Sequence, residues 1–339
     1  ISMSGCAYRW HRSQMPDGRT SPSPWTAGSG TSELDTSEEA AVVKYFSFFF
    51  TMVRFGQLVL GPAGSGKSTY IGELYKHCLD QHRVVHCVNL DPAADNFSYP
   101  VAVDVRDLIS VDDVLSEFAL GPNGALLFCI EYLLQHLDWI DDQISESFGD
   151  DDYLLFDLPG QIELYTHSPL VPALVAHLER ALDFRLAAVF TVDAGFVLPA
   201  KSGGDPSRLV GAAVSALAAM VSLECPHINV LTKMDLMKGA DEDEMEYACG
   251  VDVLRMLERS RNSKFDGIVR KKFWNLNNAM ANLLEDFNMV NFVTLDITDP
   301  DSINDLLLQV DIALQYDEVL DTRRVSDDEE EYGGDGSGA

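Results

Sequence analysis

The chain has 339 residues, 46% of them hydrophobic, enough to bury one large α/β core. Its formal net charge of −30 at pH 7 argues against direct nucleic-acid binding, which needs clustered Lys and Arg to neutralise phosphates. The six cysteines (Cys6, Cys78, Cys87, Cys129, Cys225, Cys249) form no C-x-x-C pair or metal-ligand spacing, and no apolar run approaches the ~18 residues of a membrane span, so buried reduced thiols in a cytoplasmic protein are expected.

Residues 1–40 are rich in Ser, Gly, Pro and Thr, a composition that cannot offset chain entropy, and disorder is expected over 1–51. The aromatic stretch 44–50 is too short for a signal-peptide core. The chain opens on Ile1, and Met52 stands just before the first strand, so Met52 is the expected natural start. Peptides from before Met52 in the natural protein would contradict that. From residue 55 the pattern alternates. Strands are expected at 55–60, 84–89, 153–156, 187–192, 227–231 and 292–295. Helices are expected at about 70–81, 125–145, 168–182, 206–223, 242–259, 269–287 and 303–316. Such β-then-α spacing predicts a P-loop NTPase of the α/β class, with a mostly parallel sheet, helices on both faces and helical insertions. The ligand belongs at the carboxyl ends of the strands. From about residue 318 an acidic run, Asp327-Asp328-Glu329-Glu330-Glu331, leads into Gly and Ser and reads as a solvated tail. The domain is therefore expected at 52–317, the tail at 318–339.

The segment Gly61-Pro62-Ala63-Gly64-Ser65-Gly66-Lys67-Ser68-Thr69 fits G-x-x-x-x-G-K-S between a strand and a helix, the context of a phosphate-binding loop. Gly64, Ser65, Gly66 and Thr69 frame the phosphates, Lys67 reaches the β- and γ-phosphates, and Ser68 ligates Mg²⁺. Asp157, at the end of a strand and followed by Leu158-Pro159-Gly160-Gln161, suits Mg²⁺, while the Gly160 N–H approaches the γ-phosphate. Thr232-Lys233-Met234-Asp235 also follows a strand. Asp235 there accepts from guanine N1–H and its exocyclic amine, the Lys233 stem covers the base, and Thr232 stands where GTPases usually carry Asn. Asp91 is a further candidate for Mg²⁺, Asp104 lies where a nucleotide-sensing switch would fall, and Glu163 is a third acidic candidate. Each reads equally well as a surface carboxylate or helix cap. Gln161 is placed to orient the attacking water.

On these motifs, with Asn89-Leu90-Asp91-Pro92-Ala93, Gly121-Pro122-Asn123 and the stretch Asp157 to His167, the chain resembles the GPN-loop GTPases, nearest to their eukaryotic type 3 branch. The resemblance runs from Met52 to about Asp317. It implies GTP and Mg²⁺ as ligands and a homodimer, or a heterodimer with another GPN-loop GTPase. The loop Gly121-Pro122-Asn123 would cross to the partner's site, and Asn123 would stabilise the transferred phosphate, a task arginine fingers perform elsewhere, while Asp104 or Glu163 would help Gln161 position the water. It also implies support of RNA polymerase II assembly through polymerase subunits, and a cytoplasmic protein that shuttles to the nucleus. The region 295–298 is the expected fifth guanine motif. The competing readings are an ATP-using P-loop enzyme, which Asp235 and the GPN segment oppose, and a nucleotide-bound scaffold with negligible turnover.

Overall fold

The structure is a computed structural model that describes residues 53–149, 152–198, 206–237, 242–250, 268–287 and 290–319. The expectations for 1–51, for the acidic run and for the second half of the helix 242–259 lie outside these residues.

Strands β1 (Arg54–Leu60), β2 (Val85–Asn89), β3 (Val101–Asp104), β4 (Tyr153–Asp157), β5 (Phe184–Asp193), β6 (His227–Thr232) and β7 (Phe292–Thr294) form one parallel sheet in the order β3-β2-β4-β1-β5-β6-β7. The helices are α1 (Lys67–Asp80), α2 (Val111–Glu117), α3 (Pro122–Gln135), α4 (Leu137–Ser147), α5 (Glu163–Thr166), α6 (Leu170–Ala181), α7 (Ala194–Val197), α8 (Pro206–Leu223), α9 (Glu242–Cys249), α10 (Ile268–Phe287) and α11 (Pro300–Leu314). None of the described helices is long and apolar enough to cross a membrane.

The strands feed two cores because successive side chains point to opposite faces. Leu58 and Leu60 of β1 and Leu154 and Phe156 of β4 face the larger core, beneath α3, α4, α6 and α8. Phe55 and Val59, with Tyr153 and Leu155, face a second core that α1 and α11 cover with Ile71, Leu74, Leu306 and Val310. Gln57 is the polar exception on this face, and α1 and β4 satisfy it: Tyr70 donates to its Oε1 at 2.6 Å and its Nε2 donates to the Tyr153 hydroxyl at 2.8 Å. At the lower end of the sheet Arg83 donates twice to Asp311 of α11, at 2.7 and 2.9 Å, and lies over the rings of Tyr153 and Tyr316. Paired and stacked in this way, the buried guanidinium ties α11 to the sheet.

Three departures from the sequence expectations have local causes. β3 and α2 were not expected; β3 is a four-residue edge strand behind Pro100, too short to display an alternation. The helix expected at 125–145 is two helices, broken at His136 (φ −127°, ψ 46°), whose ring stacks on Tyr132 and whose Nδ1 lies 2.8 Å from the Tyr132 carbonyl. The closing helical region continues to Val319, which is buried, past the expected start of the tail at 318.

His227 opens β6 with its ring against Phe190, centroids 6.0 Å apart. Burial holds its pKa down to about 4, with Asn229 opposing. The unfolded chain therefore takes up this proton first on acidification. The stability tied to neutral His227 is complete above about pH 6.5 and is lost towards pH 4, at about 1.4 kcal/mol per pH unit. Denaturant unfolding of His227→Gln should show a flatter pH dependence across that window than the parent; equal slopes would contradict this.

Candidate nucleotide-binding site

β1 ends at Leu60 in the middle of the sheet, and the chain turns through residues 61–66 before α1 begins at Lys67. Gly66 is the N-cap residue at φ 100°, a left-handed conformation that favours glycine, and no side chain caps the helix. The first N–H groups of α1 and its positive dipole end are thus left to an anion.

Helix α5 and strands β5 and β6 hold the loop from three sides. The Gly61 N–H donates to the Tyr165 hydroxyl of α5 at 3.1 Å. Ser65 Oγ and Thr191 Oγ1 are 2.6 Å apart, and Thr191 also donates to the Leu60 carbonyl at 3.1 Å. The Thr232 hydroxyl stands 2.5 Å from the Ser65 carbonyl oxygen and 3.1 Å from that of Val192. Ser65 therefore turns its side chain into the protein and offers a ligand only its backbone, while Thr69 is exposed on α1. Lys67 lies over its own loop, with Nζ 3.3 Å from the Gly61 carbonyl oxygen and 3.5 Å from that of Pro62. Burial lowers its pKa, and Asp157 and Asp91 oppose that.

Ser68 donates to Asp157 Oδ2 at 2.9 Å, and the buried Tyr99 hydroxyl donates to the same oxygen at 2.7 Å. Burial pushes the Asp157 pKa up, against these hydrogen bonds and Lys67. The donor set of one hydroxyl and one carboxylate, both hard oxygens, fits Mg²⁺, which keeps several waters and takes few protein ligands beside phosphates. No cluster of three metal-binding His, Cys, Asp or Glu side chains occurs among the described residues. Asp91 accepts from the Ala93 N–H at 2.9 Å in a tight turn and acts on Lys67 through its charge.

Gly160 presses on the loop: a Cβ there would stand 2.9 Å from both Ala63 Cα and Lys67 Nζ, so only glycine allows this approach. The next residue, Gln161, donates from Nε2 to Asn123 Oδ1 at 3.1 Å. Asn123 is exposed in the first turn of α3, where Gly121 is the N-cap and Pro122 the first helical residue. The GPN segment is thus a helix start and not a free loop. Asp104 is engaged elsewhere. Arg106 binds both of its oxygens, at 2.6 to 3.1 Å, Asn89 donates to it at 2.8 Å, and it caps the turn Val105–Asp107. Burial raises its pKa, but the Arg106 bonds outweigh that and hold it below the usual carboxylate range. Glu163 is exposed at the first residue of α5.

On the far side of the loop, Lys233 adopts φ 63° and its Nζ donates at 2.7 Å both to the Gly64 carbonyl and to Asp193 Oδ2. This bridges the loop to the end of β5. The buried Oδ1 of Asp235 has no hydrogen-bond partner among the described residues. The segment 295–298 lies alongside: Leu295 N donates to the Leu231 carbonyl at 2.8 Å and its own carbonyl accepts from Met234 N at 3.3 Å. Four contributors escaped the sequence reading, namely Tyr99, Tyr165, Thr191 and Asp193. Asp193 alone left a signal, as the acid that interrupts the apolar run 186–198.

A central strand, an uncapped glycine-rich helix start, a hydroxyl–carboxylate pair and, two residues beyond the Lys233 that bonds the loop, a buried carboxylate oxygen of Asp235 without a partner among the described residues define a P-loop nucleotide-binding protein. A family model described as "Conserved hypothetical ATP binding protein" matches residues 59–316. The chain is 44% identical over 277 residues to GPN-loop GTPase 3 of Saccharomyces cerevisiae, covering 81% of this chain and 98% of the relative. It is 44% identical over 268 residues to GPN-loop GTPase 3 of Dictyostelium discoideum (79% and 89% covered) and 42% identical over 282 residues to that of Danio rerio (83% and 94%). The chain belongs to the GPN-loop GTPase family. Among solved structures it shares the fold of a GTPase in apo form from Pyrococcus abyssi, with a TM-score of 0.58 at 23% identity over 78% of this chain and 97% of that one.

Proposed function

We propose that the protein binds GTP with Mg²⁺ and hydrolyses it to GDP and phosphate as a dimeric switch. The observation that carries the base assignment is the buried, unpaired Oδ1 of Asp235 beside the phosphate loop. Guanine offers N1–H and an exocyclic amine to that carboxylate. Adenine has no hydrogen at N1 and would leave the buried acceptor unpaired. This favours guanine despite the ATP in the matching family's description.

In hydrolysis a water attacks the γ-phosphorus, the bond to the β,γ-bridging oxygen breaks, and GDP leaves with that electron pair. Lys67 and the first N–H groups of α1 hold the phosphates, and Gln161 orients the water. Ser68 and Asp157 would hold Mg²⁺, which when bound neutralises charge on the phosphate oxygens. The Asn123 amide accepts from Gln161 through its oxygen, so its N–H₂ group is the part available to donate to phosphate. The family resemblance supports an Asn123 delivered from the partner subunit, with modest turnover because a neutral amide stabilises charge less than arginine does.

Competition binding with GTP and ATP tests the reading: a preference for GTP of about 100-fold or more is expected from two hydrogen bonds to a carboxylate. Tighter ATP binding would overturn the base assignment, and GTP binding without turnover would make the protein a scaffold. On the same resemblance we extend the reading to support of RNA polymerase II assembly and nuclear import by a cytoplasmic, shuttling protein. Depletion should then leave polymerase subunits in the cytoplasm; an unchanged distribution would refute that extension.

A further inference from the structure

The metal side of the site is gripped by a segment that belongs to none of its motifs. Between Asp91 and β3 the chain crosses α1, and of two successive residues there one holds the Asp157 carboxylate assigned to Mg²⁺ and the other the backbone of Ser68, whose hydroxyl is assigned to it. Tyr99, whose ring packs against Phe97 at 5.4 Å, donates its hydroxyl to Asp157 Oδ2 at 2.7 Å. Ser98 donates from Oγ to the Ser68 carbonyl at 2.8 Å. The crossing is close enough to constrain α1 itself: a Cβ at Gly72 would lie 2.7 Å from Ser98 Oγ. Ser68 spends its hydroxyl hydrogen on Asp157, which keeps its oxygen lone pairs for a cation. Asp157 is in turn held by Tyr99 from the protein side.

We infer that Ser98 and Tyr99 are positioning residues for Mg²⁺, fixing Ser68 and Asp157 in their binding arrangement before the cation arrives. The inference rests on the Mg²⁺-nucleotide reading above. Partners of metal ligands act by removing the orientational freedom that binding would otherwise have to restrict, and losing one lowers metal affinity about 10- to 100-fold. A cation held through this pair should show that sensitivity, while contacts to base and ribose should not.

The test uses the full chain loaded with a fluorescent GDP analogue, with Mg²⁺ titrated and nucleotide dissociation recorded. Tyr99→Phe should raise the half-saturating Mg²⁺ concentration about 10-fold or more and leave the Mg²⁺-free dissociation rate unchanged. Ser98→Ala, an exposed position that does not threaten folding, should shift Mg²⁺ the same way, with Ser98→Thr restoring it. A parent protein that binds nucleotide without any Mg²⁺ dependence would remove the underlying reading. A Mg²⁺-dependent parent with Tyr99→Phe and Ser98→Ala at parental values would overturn this inference alone. So would losses of equal size with and without Mg²⁺, which mark a merely structural role.

Discussion

Asp235→Ala is expected to weaken GTP binding about 10²- to 10⁴-fold, the equivalent of two hydrogen bonds to a charged group. The effect is large because Asp235 Oδ1 is already desolvated and has no partner among the described residues. The cost of burying that atom is met in the ligand-free fold, so a guanine edge gains nearly the full benefit of pairing with it. ATP binding should change little, because adenine gains nothing from this carboxylate. Asp235→Asn sharpens the test by keeping the shape and altering the pattern: the amide presents one acceptor and one donor group. Xanthine, with N1–H and a carbonyl at C2, matches that pattern, so this variant should prefer xanthosine triphosphate over GTP. Isothermal titration with the three nucleotides checks both variants. Parental GTP affinity in Asp235→Ala would place base recognition elsewhere.

Asn123→Ala should retain GTP affinity and lose about 10²- to 10³-fold in hydrolysis, the range for removing one donor to a developing oxyanion. The fold should not suffer. Asn123 is exposed, alanine favours helix, and Gly121 and Pro122 still start α3. The variant does remove the acceptor of Gln161 Nε2, so part of the loss will come from a less ordered Gln161. Gln161→Ala, which leaves the Asn123 amide in place but removes the whole contribution of Gln161, sets the upper limit of that part. Single-turnover hydrolysis of pre-bound GTP separates both from any effect on binding. Turnover at the parental rate in Asn123→Ala would leave the GPN segment without a chemical role.

The parts of the site legible in the sequence are those whose chemistry is local. Gly61 to Thr69 carries its whole function in one strand-to-helix turn, and Asp157-Leu158-Pro159-Gly160 announces a strand end. What stayed hidden depends on contacts between distant segments. Tyr99 and Thr191 are ordinary residues until the fold sets them against Asp157 and Ser65, 58 and 126 positions away. Thr232, which stands where GTPases usually carry Asn, has a structural task, with its hydroxyl on the Ser65 carbonyl. The Gly121-Pro122-Asn123 segment is expected as a loop, yet proline is equally suited to a first helical turn, and here it starts α3. Asp104 shows the converse: its sequence position suggested water chemistry, whereas Arg106 occupies both of its oxygens.

We propose a hydrolytic site that combines Gln161 of one subunit with Asn123 of the other. Within one chain these two side chains already touch, so the claim needs a measurement that assigns each residue to a subunit. Mixing Asn123→Ala protein with Gln161→Ala protein, each nearly inactive alone, does so. A shared site predicts that activity returns to at most about one quarter of the parental value, since half of randomly assorted two-fold dimers are mixed, each has one complete site, and that site draws its Gln161 from the Asn123→Ala chain, where Gln161 lacks its acceptor. A mixture as inactive as its components would contradict the account.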